Sequence, residues 1–311
     1  MKPQAHKLRI APSPTGKLHI GTIRTAYFNW ILSKQHPESK LIVRIDDTDL
    51  QRSKEELIQP IYAGLDTLGI DYFKSFKQSS RFGLYKYYAN EFVKKGYAFE
   101  DDGCIRLKES ALHNVSCDWV DTLSGIKESN EQIDTFAKSQ VIMKSDGSPA
   151  YNFCSIVDDY IEEITWIVRG VDHIANSYKQ ALIHRIINMT CPLQYKEMPL
   201  FTHVGLVCHT SGKKLSKRDS DEINLNGINK RALLNYILRL GWSPKEDTKA
   251  NNIIDRDKAI ELFVDGGSMK ASNAKIDFNK LEWYNKKYRS IIQKESEIGK
   301  FVQQAPMKLL N

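Results

Sequence analysis

The sequence has no two cysteines at CxxC spacing, and its five cysteines (Cys104, Cys117, Cys154, Cys191 and Cys208) are odd in number and scattered. That excludes a disulfide framework or a zinc ribbon as the organising feature. Cys191, His203, Cys208 and His209 are near one another in sequence, but their spacing fits no common ligand pattern, so no metal site and no zinc are expected. No apolar run approaches the roughly 20 residues needed to span a bilayer, which excludes a membrane-spanning helix. The opening MKPQAHKLRI lacks the apolar core of a signal peptide. A cytoplasmic, reduced protein with no membrane partner, acting as a monomer, is expected. Neither an internal repeat nor a low-complexity tract is present, which excludes a solenoid or a linker-dominated chain.

What is present is ordinary in amount. The 311 residues are 41% hydrophobic and 27% charged, enough for one large or two ordinary domains with real cores. The formal net charge of +7 suits a polyanionic partner such as RNA or a nucleotide, although it discriminates little by itself.

The order of the segments says more. LRIA (8–11) reads as a short strand running into the turn-rich PSPTG, followed by a helix over about 21–35. LIVRI (41–45) is a continuous apolar run of the buried parallel-sheet kind, ending in the acidic Asp46-Asp47-Thr48-Asp49. Ser53 and Glu56 form a capping-box pattern ahead of a helix bearing Leu57, Ile61, Leu65 and Leu68, which Gly69 ends. A third helix is expected over about 80–95. Strand, helix, strand, helix predicts a doubly wound α/β sheet of the Rossmann type. Residues 97–140 lack this rhythm and read as an α+β insertion. The pattern resumes with ITWIVRG (164–170), a helix over about 176–189 and a strand within PLFTHVGLV (199–207). From 228 onward the chain reads as helices, with Leu233, Leu234, Ile237, Leu238 and Leu240 as a core stripe. The expected division is therefore 1–96 and 141–225 as two halves of one catalytic domain, 97–140 as an insertion, and 226–311 as a small helical region.

Two segments carry chemistry. APSPTGKLHIGT (11–22) places His19 and Gly21 at a helix N-terminus, where backbone N–H groups and the helix dipole favour a phosphate. The bland alternative is an ordinary strand-to-helix loop with a capping histidine. GKKLSKR (212–218) is a glycine-led loop with Lys213, Lys214, Lys217 and Arg218, mobile positive charges suited to a leaving pyrophosphate. Standing alone it would read as a solvated basic loop.

Together and in this order they resemble the HIGH and KMSKS motifs of class I aminoacyl-tRNA synthetases. His19-Ile20-Gly21-Thr22 matches the first, and Lys214-Leu215-Ser216-Lys217-Arg218 the second. The resemblance is closest to glutamyl-tRNA synthetases and runs from residue 8 to about 285, through RIAPSPTGKLHIGTIRTAYFNW, RIDDTDLQRS, SDGSPAYNF, IVDDYIEEITWIVRG and GKKLSKR. It implies ATP as substrate with Mg²⁺, and L-glutamate and the acceptor end of tRNA as partners. It assigns catalysis to His19, Gly21, Lys214 and Lys217, and ATP contacts to His19, Gly21, Thr22, Asp172, Leu215, Ser216 and Lys217. Arg9 and Ser13 are implied to hold the amino acid, Asp46 to bind its ammonium, and Tyr151 to line the pocket. Arg169 is implied to pair with the side-chain carboxylate, as a planar guanidinium can do through two hydrogen bonds. The structural alternative for Arg169 is a salt bridge to Asp158 or Asp159, and for Asp46 a solvated strand end.

The sequence departs from the family in four places. Asp46 stands where bacterial-type glutamyl enzymes have glutamate, and Val171 removes a charge from the RGEDH segment. The 97–140 insertion is short and lacks cysteine pairs. The chain stops at Asn311, after FNKLEWYNKKY, without the helical anticodon-binding domains that follow in the family. The leading expectation is ATP-dependent glutamate activation and transfer to tRNA. The alternatives are transfer to a modified base of tRNA(Asp), as in glutamyl-queuosine synthetases, transfer to a non-tRNA acceptor, and a non-catalytic RNA-binding paralogue.

Overall fold

A computed structural model describes residues 4–16, 18–112, 115–116, 118–127, 140–213, 227–245, 253–263 and 269–304. Three parallel strands open the chain: β1 (Lys7–Ile10), β2 (Lys40–Ile45) and β3 (Lys74–Lys77), in the order β1-β2-β3. Helix α1 (Ile20–Ser33) makes the first crossover and α2 (Ile58–Leu68) the second. A second sheet places β9 (Trp166–Gly170) beside β10 (Leu200–Val204), then β6 (Trp119–Asp121) and β7 (Gly125–Lys127), with only the β6–β7 pair antiparallel. The two sheets abut where Thr165 N–H donates to Lys7 O at 3.0 Å.

The alternation along β2 shows why the sheet is covered twice. Leu41, Val43 and Ile45 join the core formed with α1, α2 and the C-terminal helices. Ile42 joins a second core with α3 (Phe82–Lys94), α4 (Tyr151–Ile161) and α5 (Ile174–Thr190). Successive strand residues face opposite sides, so a run apolar at every step needs a helical layer on each face. The doubly wound α/β reading of the sequence describes this architecture. Helices α6 (Lys230–Arg239), α7 (Arg256–Leu262) and α8 (Phe278–Gln304) follow, and the stripe Leu233, Leu234, Ile237, Leu238 and Leu240 is buried against α1.

One local reading is corrected. The capping box at Ser53 and Glu56 does not form: a 3₁₀ turn at Glu55–Leu57 precedes α2, and Lys54 at its N-cap makes no side-chain cap bond. The backbone explains this, because Ser53 N–H donates to Asp49 O at 2.8 Å and Lys54 N–H to Pro14 O at 3.0 Å. These bonds commit the segment to a turn against the proline loop, and Ser53 Oγ is left buried without a partner. Residues 97–140 contain more sheet than their polarity suggests. β5 (Cys104–Leu107) pairs with β4 (Ala98–Asp101) on one side and β8 (Val141–Met143) on the other, while β6 joins the main parallel sheet through β10. Gly69 ends α2 as read, in the left-handed conformation at φ 66° that a Cβ would strain.

Candidate active site

The C-terminal ends of β1, β2 and β9 and the N-terminus of α1 meet around a cavity of about 710 Å³. This is the crevice at strand carboxyl ends where open α/β sheets bind ligands. Nine residues singled out in the sequence line it: Arg9, Ser13, His19, Gly21, Thr22, Asp46, Tyr151, Arg169 and Asp172. Lys214, Leu215, Ser216 and Lys217 lie outside the described residues, and Lys213 is exposed at the edge of that segment.

The loop from Ala11 to Gly16 is held from below by the neighbouring strand, with Asp46 N–H donating to Pro12 O at 3.0 Å. His19 is the N-cap of α1 in extended conformation, and its side chain accepts from Thr22 N–H at 3.3 Å. The capping role is thus real, and it keeps the imidazole at the cavity wall. Gly21 makes this possible: a Cβ there would lie 3.1 Å from His19 Nδ1 and 3.2 Å from its Cε1.

Beneath the Asp46 side of the cavity lies a buried ionic network. Arg44 donates from Nε to Asp46 Oδ1 at 2.6 Å, from Nη2 to Asp46 Oδ2 at 3.2 Å, and from Nη1 to Asp159 Oδ1 at 2.8 Å. Arg9 Nε donates to both Asp159 oxygens at 3.2 and 3.3 Å. Asp158 accepts from Arg81, Gln78 and Tyr85. Burial pulls the Arg44 guanidinium down, but Asp46 and Asp159 outweigh it and hold Arg44 above the ordinary arginine range. Burial raises the Asp46 carboxyl, with Arg44 opposing.

Arg169 is different. Its residue is 6% exposed and lies at the end of β9, yet among the described residues no carboxylate lies within salt-bridge distance. Asp158 and Asp159, its expected structural partners, are taken by Arg9, Arg44 and Arg81. Arg169 instead donates to three neutral acceptors: His203 Nε2 at 3.2 Å, Gln180 Oε1 at 2.8 Å and Ser177 Oγ at 2.6 Å. Burial lowers its pKa to about 10, assisted by the charges of Arg9 and Arg44. It remains a cation at neutral pH, buried in the wall of the cavity, with no carboxylate in direct contact among the described residues. A buried charge in that state is costly unless a ligand completes it.

Sequence reading missed Asp121, Ser177 and Gln180, and considered His203 only as a metal ligand. His203 lies opposite Arg169 in the β9–β10 register, and its Nδ1 lies 2.7 Å from Asp121 Oδ2. Among the described residues, no group of three His, Cys, Asp or Glu side chains is placed to hold a metal ion. No helix among them is long and apolar enough to cross a membrane.

The cavity therefore pairs the N-terminus of α1 with an end that has both an acid, Asp46, and two guanidinium groups, Arg9 and Arg169. That is an α/β crevice of class I synthetase architecture. The chain matches the family described as tRNA synthetases class I (E and Q), catalytic domain, over residues 6–104 and 100–283, and belongs to that family. It is 35% identical to glutamate–tRNA ligase 2 of Caldicellulosiruptor saccharolyticus over 91% of its own length and 67% of the relative's. It is 36% identical to glutamate–tRNA ligase of Acholeplasma laidlawii, covering 91% of this chain and 64% of that protein. The chain thus spans about two thirds of the length of these curated relatives. Among solved structures, a glutamate tRNA ligase from Elizabethkingia meningosepticum in complex with its amino acid superposes with a TM-score of 0.81 at 24% identity. That match covers 96% of this chain and 72% of the other, and shows the shared fold.

Proposed function

We propose that this protein activates L-glutamate with ATP and transfers the glutamyl group to the 3′ end of a tRNA. Arg169 carries the reading: a buried guanidinium satisfied only by neutral acceptors is the partner an anionic side chain requires. A positively charged substrate side chain would face it unpaired, and an apolar one would leave it buried without a counter-charge. The glutamate–tRNA ligases to which the chain is similar support the same substrate.

In this reading Arg9 and Ser13 hold the amino acid, and Tyr151 closes one wall. Asp46, its two oxygens oriented by Arg44, receives the ammonium. The α-carboxylate oxygen attacks the α-phosphorus of ATP, the bond to the pyrophosphate oxygen breaks, and glutamyl-adenylate forms. Negative charge building on the phosphates falls at the N-terminus of α1, where His19, Gly21 and Thr22 cluster beside Asp172. Lys214 and Lys217, with Leu215 and Ser216, supply mobile charge for the leaving pyrophosphate on the strength of the motif alone. A tRNA hydroxyl then attacks the mixed anhydride carbonyl and AMP leaves. Mg²⁺, when bound to ATP, neutralises phosphate charge. Residues 97–140 and 226–311 are assigned to the acceptor end of the tRNA and its stem.

Isothermal titration of glutamate and ATP against the Arg169→Ala variant tests the reading. Glutamate affinity should fall at least tenfold while ATP affinity holds. Equal losses for both ligands would make Arg169 structural.

A further inference from the structure

Arg169 has five N–H donors, and three are used by His203, Gln180 and Ser177. Among the described residues each terminal nitrogen keeps one N–H without an acceptor, so the guanidinium presents a two-pronged fork whose direction depends on what holds the other three. Of these holders, His203 grips Nε, the atom that sets the guanidinium plane. To accept there, His203 must carry its lone pair on Nε2 and its proton on Nδ1.

Asp121 enforces that choice. Its Oδ1 accepts from Leu123 N–H and Ser124 N–H, each at 2.9 Å. Its Oδ2 accepts from His203 N–H at 3.1 Å and faces His203 Nδ1 at 2.7 Å. Three backbone donors already converge on the carboxylate, so only a donor at Nδ1 is accommodated. Burial raises the Asp121 carboxyl, but the hydrogen bonds from His203, Leu123 and Ser124 outweigh it and keep it ionised. The imidazole packs against Trp119 and Phe201, with ring centroids 5.2 and 6.1 Å away.

We propose that Asp121 and His203 form a positioning relay that aims the free N–H fork of Arg169, and thereby sets discrimination between glutamate and its amide. A carboxylate offers an acceptor to both prongs, whereas an amide meets one prong with an NH₂ group and loses that bond. Any rotation of the fork weakens both interactions and narrows the difference between acid and amide. This inference rests on the reading of Arg169 as the side-chain contact.

The test is amino-acid-dependent activation by the full chain with glutamate and glutamine, in two variants that divide the functions of the imidazole. His203→Asn keeps a donor near Asp121 and removes the acceptor facing Arg169; His203→Gln places an acceptor near Nε2. His203→Asn should raise the glutamate KM about tenfold, shrink the glutamate-to-glutamine preference and leave the ATP KM within about twofold. His203→Gln should recover most of the preference, an order that a purely structural role would not produce. An unchanged preference in His203→Asn, or equal rises in both KM values, overturns the proposal. Nitrogen-15 chemical shifts of His203 in the unaltered protein give an answer that needs no variant to fold. A neutral ring protonated at Nδ1 is expected, and one protonated at Nε2 overturns the relay. If the unaltered chain activates no glutamate at all, the functional reading fails, an outcome distinct from either of these.

Discussion

Arg44 holds Asp46 from two sides, Nε to Oδ1 at 2.6 Å and Nη2 to Oδ2 at 3.2 Å, and so fixes the plane of the carboxylate at the end of β2. Arg44 keeps Asp159 as a second partner at 2.8 Å. Neutralising Asp46 therefore does not strand a buried cation. The Asp46→Asn variant should stay folded, with a stability loss of about 1–2 kcal/mol, and lose at least tenfold in glutamate KM. Urea denaturation and steady-state kinetics measure the two effects separately.

Asp159 is the contrasting case, because it serves Arg9 and Arg44 together. Its replacement by Asn weakens two buried guanidinium contacts at once, and a broken buried pair costs about 3–5 kcal/mol. The expected order of urea midpoints is unaltered chain, then Asp46→Asn, then Asp159→Asn. A reversed order would show that Asp159 is not the hub of the network.

Arg169→Lys retains charge but not shape. Lysine can meet only part of the constellation His203, Gln180 and Ser177, and presents no planar fork to a carboxylate. Glutamate KM should rise at least tenfold with little change in ATP KM. A lysine variant with unaltered glutamate kinetics would reduce Arg169 to a simple positive charge.

Gly21→Ala adds a Cβ at 3.1 Å from His19 Nδ1, so the capping ring must give way. Alanine is otherwise better than glycine in a helix, by roughly 1 kcal/mol. The thermal midpoint should hold or rise while the activation rate falls about tenfold or more. A fall in both would place the damage in folding rather than at the phosphate end.

Acid stability has an identifiable source in His184, which is buried against Tyr160 at a centroid distance of 5.3 Å. Burial, with Arg185 nearby, pushes its pKa down to about 4. The unfolded chain takes up a proton near pH 6.5 that the folded chain refuses, so stability is present above about 6.5 and lost as pH falls toward 4. The loss from this group is at most ~3 kcal/mol. His184→Phe should flatten the decline in thermal midpoint between pH 7 and pH 4.5. A parallel decline in both proteins would assign the acid lability to other groups.

Much of this was legible in the sequence, for a physical reason. The strand ends, the proline loop and the start of α1 are built from neighbouring residues, so Arg9, His19, Gly21 and Asp46 announce themselves in short motifs. Asp121 and His203 do not. They meet only because β6 pairs with β10 across 82 residues, and β6 lies in a tract too polar to read as sheet. Ser177 and Gln180 look like ordinary polar residues of a helix until the β9–α5 turn brings them to Arg169. One signal was available: His203 shares a strand face with Phe201 in a strand otherwise apolar enough to be buried, where a histidine needs a partner. The failed cap at Ser53 shows the converse, a correct local pattern overridden by backbone bonds to Asp49 and Pro14.

Glutamate-dependent exchange of pyrophosphate into ATP, measured on the purified chain with and without total tRNA, tests the central claim most directly. The account predicts exchange that requires glutamate, appears in the presence of tRNA, and disappears in Arg169→Ala. Absence of glutamate-dependent exchange under both conditions would contradict it.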